Sequence, residues 1–415
     1  MNKITISLLN VCLALTAFLF FENIAFAQKS ADLRYYDVKE LELPILGKGF
    51  DECGAYYSRL PLDIHGVVRD AVWNLGQNTS GLAVRFNSDS KSIGVKWKLL
   101  NSFNMYHMAA TGIRGLDLYT LEEGKWLFVG TAQPYKIEGS NNVCRAMMRS
   151  KIELPVNKNG DIEGREYLMY LPLYDGVVDL EIGVDSLAKI ELPKNLDLVP
   201  QKYLRKENKN YEKYSNAIGK ASDKPIVFYG TSVTQGGCAS RPGMSYTSIV
   251  ERNIHNETIN LGFSGNGRMD KIMADKISLI DAKAFFIDCL ANCTYDIIRD
   301  SAEYFIRTIA GNNPKVPVYL VSNYAYPYQY IDAKFRNDLS AENLLWYSIY
   351  KKLRKSGYKN LYFINVSGAK IRSKKNPGGK IETSSIGPDH EGTVDGVHMT
   401  DLGFIRFARI IEKVL

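Results

Sequence analysis

Cysteine is scarce and carries no pattern. Only six occur in 415 residues. Cys12 falls in an apolar leader, and the remaining five are Cys53, Cys144, Cys238, Cys289 and Cys293. An odd number leaves at least one without an intramolecular partner. A chain this large does not depend on a disulfide framework for its core. No Cys-x-x-Cys pair and no spaced histidine cluster indicates zinc. No Gly-Lys-Ser or Gly-Lys-Thr phosphate loop is present. There is no internal repeat and no low-complexity tract. Beyond the leader, no run is long and apolar enough to cross a membrane. Charge of one sign is also lacking: the formal net charge is +7 and dispersed. Lys202–Lys213 is the densest basic patch, but Glu207 and Glu212 interrupt it. It reads as a solvated linker rather than a nucleic-acid stripe.

What is present is an ordinary globular composition, 45% hydrophobic and 23% charged, enough for a full core. Length as a prior gives two or three domains. Met1–Ala27 reads as a signal peptide. Lys3 supplies the positive start, Ile4–Phe21 is largely apolar, and Ala25-Phe26-Ala27 is a small-residue cleavage site before Gln28. A retained anchor is the rival, and the small residues favour removal. The expectation is an exported protein, periplasmic or secreted, with no membrane span after cleavage.

Residues 28–194 read as an all-β unit, a sandwich or jelly roll. Short β-branched and aromatic runs recur at Gly81–Asn87, Ser92–Leu99, Gly115–Leu121, Lys125–Gly130, Tyr167–Pro172 and Val177–Val184. Leu82–Phe86 and Ile93–Trp97 alternate as half-buried strands do. Glu122–Lys125 reads as a hairpin turn. Residues 195–223 are polar and charged and form the expected linker. From Lys224 to Leu415 strand-like runs alternate with helical ones, which is the pattern of a doubly wound parallel sheet. The strands are expected at Ile226–Tyr229, Glu257–Leu261, Ala284–Asp288, Pro317–Val321 and Leu361–Asn365.

Four features of this second half fall after strands or before the last helix. Ser232 follows the first strand in IVFYGTSVTQGG. Gly265 lies in GFSGNG after the second strand, and Asn292 in DCLAN after the third. Asp395 and His398 stand in DGVH before the closing helix. Carboxyl ends of parallel strands share one sheet edge, so these segments can meet. Their chemistry is complementary. Ser232 attacks, His398 takes its proton, and Asp395 orients the imidazole. The backbone N–H groups of Ser232 and Gly265 and the amide N–H of Asn292 can hold an oxyanion. A glycine at 265 lets backbone approach a substrate.

In these blocks the chain resembles the SGNH hydrolases, the GDSL-type esterases, which carry Ser, Gly, Asn and His in that order. The resemblance spans roughly Lys224–Leu415. Gly115-Leu116-Asp117-Leu118-Tyr119 is similar to the GxDLY motif of a β-rich domain that precedes a subset of exported members. Two departures stand out: Met399 replaces the proline that usually follows the histidine, and His390 is an extra histidine nearby. The resemblance implies an esterase for short acyl, especially acetyl, esters of a small molecule or glycan, with no metal and no cofactor. The alternatives are an O-acyltransferase, a lipid esterase or thioesterase, and a non-catalytic carbohydrate-binding protein. The oligomeric state is open.

Other roles compete for the same residues. His398 can be a surface histidine, and Asn292 can cap the helix that follows it. His390 reads as a loop residue, Asp117 and Tyr119 as strand or interface residues. Cys289 and Cys293 read as small buried hydrophobes. The aromatic run Asn323–Tyr330 suits a sugar-stacking rim or a packing surface between domains equally.

Overall fold

The structure, a computed structural model, describes residues 33–137, 139–367 and 391–415. The leader and His390 lie outside these described residues. The alternating segments of the N-terminal part form β1 (Leu33–Asp37), β2 (Ile45–Leu46), β3 (Ala83–Ser88), β4 (Ile93–Leu99) and β5 (Leu116–Glu122). They are followed by β6 (Lys125–Ala132), β7 (Val143–Arg149), β8 (Arg165–Tyr170), β9 (Val177–Asp185) and β10 (Ile190–Glu191). One antiparallel sheet runs β1-β9-β4-β7 and the other β10-β3-β8-β5-β6, with β2 also paired to β3. Glu122 pairs with Lys125, and Glu123 and Gly124 sit at φ +48° and +75° between them. This is the primed two-residue turn whose twist suits a hairpin.

Val84 and Phe86 from one sheet meet Val95, Trp97 and Ile182 from the other in a single core. The sheets therefore stack as a sandwich. The other face of the larger sheet is not solvent. Arg85, which alternation predicts to face water, is fully buried. Its guanidinium donates to Glu166 Oε2 at 2.9 Å and to the carbonyls of Asn195 and Asp197 at 2.9 and 3.0 Å. The segment after β10 folds back over this face and supplies the two carbonyls, while Glu166 comes from β8.

The all-β expectation for this half needs one correction. Two short helices interrupt it, Asp70–Gly76 and Ala110–Arg114. Val72 and Ile113 from them pack into the cores of the C-terminal half rather than into the sandwich. No period within such short segments signals that, because the burying surface lies elsewhere in the chain.

In the C-terminal half, β11 (Ile226–Gly230), β12 (Thr258–Gly262), β13 (Ala284–Asp288), β14 (Val318–Val321) and β15 (Leu361–Ile364) make a parallel sheet. Its order is β12-β11-β13-β14-β15. Val227 and Tyr229 enter the core on one face, Ile226 and Phe228 the core on the other. Burial on both faces explains why β11 reads as an unbroken apolar run. The strand order reverses at β11, so a crevice opens at the carboxyl ends of β11 and β13.

The two halves share buried carboxyls. Glu251, on the helix Tyr246–Ile254, accepts from the Tyr170 hydroxyl of β8 at 2.7 Å and from Thr258 N at 2.9 Å. Glu257 accepts from Gly47 N at 2.9 Å. Burial pushes Glu251 up to about 8 and Glu257 up to about 7. Asp288, surrounded by the hydroxyls of Tyr324, Tyr246 and Thr234, is likewise pushed up by burial to about 7. An unfolded chain releases these protons near pH 4. Between about pH 4 and 8 the folded chain thus holds more protons than the unfolded one, and stability falls as pH rises through that window. The midpoint of thermal unfolding is expected to be several degrees lower at pH 8 than at pH 5. Glu251→Gln should flatten part of that slope, and an unchanged slope in the variant would remove Glu251 from this account.

Candidate functional site

Ser232 opens a four-residue helix, Ser232–Gln235, immediately after β11. Thr231 caps it, its hydroxyl accepting from Val233 N at 3.3 Å. Gly236, at φ +102°, ends it. The first N–H groups of such a helix have no intrahelical partner, and Ser232 N is among them. Gly262 at the end of β12 lies against this helix so closely that a Cβ there would fall 2.2 Å from Gln235 N. Only glycine permits that backbone approach.

Asp395, Gly396, Val397 and His398 form a loop that organises itself. Asp395 Oδ1 accepts from the backbone N–H of Val397 and His398 at 2.9 and 2.8 Å. Its other oxygen lies 2.7 Å from His398 Nδ1. Burial pulls the Asp395 carboxyl up, but the His398 ring and the two N–H donors outweigh it and hold the group below its ordinary value. The Tyr328 hydroxyl donates to Asp395 O at 2.7 Å and braces the loop from outside. Across a separation of 166 residues, His398 Nε2 lies 3.0 Å from Ser232 Oγ. Ser232, His398 and Asp395 therefore form one continuous line of contacts.

Gly265 and Asn292 lie on the loops after β12 and β13. Gly265 is exposed and adopts φ +68°, with open space where a side chain would stand. The backbone angle, more than crowding, calls for glycine there. Asn292 Oδ1 accepts from Gly267 N at 3.2 Å. Because a backbone N–H can only donate, the amide is oriented with Nδ2 pointing away and free to donate. The capping role is excluded. Thr294, not Asn292, is the N-cap of the helix Tyr295–Asn312, its side chain accepting from Ile297 N.

Sequence reasoning missed how the β-rich half grips this region. The Ser80 hydroxyl donates to Gln235 O at 2.6 Å, and Gln235 Nε2 donates to Leu173 O at 3.1 Å. The Tyr174 hydroxyl donates to Ser232 O at 3.3 Å. Asp117 and Tyr119, expected as strand or interface residues, are both: they lie on β5 and contact the other half. Asp117 Oδ2 accepts from Arg241 at 2.7 Å and from Gly243 N at 2.8 Å, and Tyr119 Oη lies 2.6 Å from Arg241. The GLDLY segment therefore anchors the loop that follows Ser232. The fully buried Arg59 donates to Asn260 O and Gly262 O at 2.9 and 3.0 Å, fixing the end of β12. None of these partners carries a local motif. Only GLDLY gave a signal.

The aromatic run divides. Tyr324 and Tyr326 are buried within the C-terminal half, Tyr324 donating to Asp288 at 2.6 Å. The core they enter also takes in Ile113, Leu173 and Tyr174 of the β-rich half, which favours packing over a sugar-stacking rim for these two. Tyr328 and Tyr330 remain exposed. All five described cysteines are free. Cys289 and Cys293 are buried in the core as expected, and the Cys293 thiol donates to Cys289 O at 3.3 Å. Burial pushes the Cys238 thiol up to about 12, with Asp395 adding to the effect, so it is a neutral thiol at ordinary pH. Among the described residues no helix is long and apolar enough to cross a membrane.

Residues 223–415 match the model of the GDSL-like lipase/acylhydrolase family. Residues 33–190 match GxDLY, the N-terminus of SGNH-hydrolase-type esterases. No curated protein matches the chain. Among solved structures, one described as a GDSL-like lipase from Bacteroides ovatus ATCC 8483 is 30% identical, with 92% of this chain and 96% of that one covered and a TM-score of 0.74. A salicylyl-acyltransferase from a tetracycline biosynthetic pathway covers the same shares at 14% identity and a TM-score of 0.62. A family two carbohydrate esterase from Clostridium thermocellum is 11% identical, with 81% and 91% covered and a TM-score of 0.49.

Proposed function

The chain belongs to the GDSL-like lipase/acylhydrolase family and is an ester hydrolase, and on that premise we propose that it is an exported serine esterase cleaving short acyl esters, chiefly acetyl, from carbohydrate. The observation that carries the mechanism is the line Ser232–His398–Asp395, with contacts of 3.0 and 2.7 Å. His398 Nε2 takes the Ser232 hydroxyl proton as Oγ attacks the ester carbonyl. The ionised Asp395 holds the ring in the tautomer that leaves Nε2 able to accept. The N–H groups of Ser232 and Gly265 and Nδ2 of Asn292 donate to the oxyanion. His398 then gives the proton to the departing sugar oxygen, leaving an acyl-Ser232. Water, deprotonated by the same imidazole, releases the acid.

The exposed Tyr328 beside Asp395 supports a sugar-sized alcohol, since a flat aromatic surface suits the face of a pyranose. The leader Met1–Ala27 supports export. In this reading residues 28–194 are the β-rich unit, 195–223 the linker and 224–415 the catalytic unit. The test is a panel of acetylated glycans and short- and long-chain esters given to the purified protein. Release of acetate from glycans, falling with acyl length, is the expected result. Preference for long acyl chains would replace it with a lipid esterase. Transfer to an added sugar hydroxyl in preference to water would replace it with an acyltransferase.

The donor role of Asn292 has its own test. Asn292→Ala should lower kcat about 10²–10³-fold with little change in KM, because the charge it meets develops in the transition state. Asn292→Asp keeps an acceptor for Gly267 N–H and so should fold, yet it offers no donor and repels the oxyanion. It should be the slower of the two. Near-normal turnover in Asn292→Asp would remove this residue from the site.

A further inference from the structure

The fold collects three soft ligands that the sequence keeps far apart. His107 comes from the β-rich half, on the connection between β4 and the helix Ala110–Arg114. Cys238 follows the Ser232 helix, and His398 precedes the last helix. One ligand atom from each lies within 4.8 Å of the other two. The imidazoles of His107 and His398 are 5.4 Å apart between centroids and tilted by 54°, so they converge without stacking. Cys238 is a buried free thiol, and His107 is exposed to solvent. The grouping thus has a buried floor and an open mouth.

We propose that His107, Cys238 and His398 form a binding site for a thiophilic divalent cation, of which zinc is the prime example. Two imidazoles and a thiolate are a zinc donor set, with a fourth tetrahedral position left for water. The contact between His398 Nδ1 and Asp395 Oδ2, 2.7 Å long, is the carboxylate support that metal-binding imidazoles commonly have. It leaves Nε2 as the ligand atom. Tetrahedral bonds of about 2.0–2.3 Å separate neighbouring ligand atoms by about 3.3–3.6 Å. The groups must therefore draw in by about 1 Å, through rotation of the exposed His107 side chain and adjustment of Cys238 and His398 towards each other. On binding, the S–H bond of Cys238 is replaced by a metal–sulfur bond and its proton passes to solvent. No electron is transferred.

The consequence for activity rests on the esterase reading above. Nε2 of His398 cannot bind a cation and accept the Ser232 proton together, so the cation switches ester hydrolysis off. His107 and Cys238 have no part in the ester chemistry.

The experiment uses the mature protein without a histidine tag. Cobalt serves as the spectroscopic probe and zinc as the inhibitor, with wild type, Cys238→Ser and His107→Ala compared. Wild type should take up one cobalt with a thiolate-to-metal charge-transfer band that Cys238→Ser lacks. Zinc should inhibit wild-type hydrolysis, a chelator should restore it, and both variants should need at least about tenfold more zinc. Absence of the band, or equal zinc sensitivity in Cys238→Ser, overturns the site while leaving the esterase reading intact. A band accompanied by undiminished hydrolysis shows Cys238 binding the metal without His398 and overturns the three-residue site. Melting curves of both variants confirm that they fold.

Discussion

Ser232→Ala should give a folded protein that hydrolyses esters on the order of 10⁴–10⁶-fold more slowly than wild type. The substitution deletes one oxygen. Its cost to the fold is small, because the Thr231 cap, the Gly236 terminus and the Tyr174 contact to Ser232 O all involve backbone at this position or other side chains. The backbone N–H of residue 232 also survives, so part of the oxyanion site remains. What is lost is the atom that bonds to the acyl carbon, and with it the two-step route through an acyl-enzyme. Two measurements check this. Circular dichroism and thermal melts should match wild type, and an organophosphonate should add covalently to wild type but not to the variant. A variant within tenfold of the wild-type rate would end the assignment of Ser232 as nucleophile.

His398→Ala should be comparably severe, and the double variant Ser232→Ala/His398→Ala no worse than either single one. Groups that act as one unit do not lose rate additively. The 3.0 Å contact between His398 Nε2 and Ser232 Oγ is the physical basis of that unit. Without the ring, Ser232 keeps its proton and is a poor nucleophile. His390→Ala, by contrast, should change turnover little. Multiplicative losses in the double variant would mean that the two residues act in separate steps, and a dead His390→Ala beside an active His398→Ala would exchange their roles.

The elements that were legible in the sequence are those whose cause is local. β11 is a run of apolar residues closed by Gly230, and it forms a buried parallel strand. The Glu122–Lys125 hairpin follows from a turn that needs left-handed residues, and Gly124 supplies one. Asp395 and His398 are three residues apart, and the loop between them closes through hydrogen bonds from its own backbone. The order Ser232, Gly265, Asn292, His398 along a β/α alternation was readable because parallel strands bring their carboxyl ends to one edge.

The sequence therefore determined the secondary-structure periods, the doubly wound class and the candidate residues of the site. Each of these depends on spacing within a few residues, or on a topology that spacing implies. What those residues touch follows from packing between segments far apart in the chain. Arg85 alternates like a surface residue, yet a segment more than 100 residues later buries it. Asn292 is a residue type suited to capping, but Thr294 takes that place, and Gly267 N–H holds the amide by its oxygen and leaves Nδ2 free to donate. Asp117 meets Arg241, Ser80 meets Gln235, and His107 meets Cys238 and His398. These contacts join chain segments about 100 to 300 residues apart, and no local propensity encodes them. They exist because burying the outer face of one sheet against the helices of the other half removes apolar area from water. That burial then fixes which polar groups must find partners across the seam.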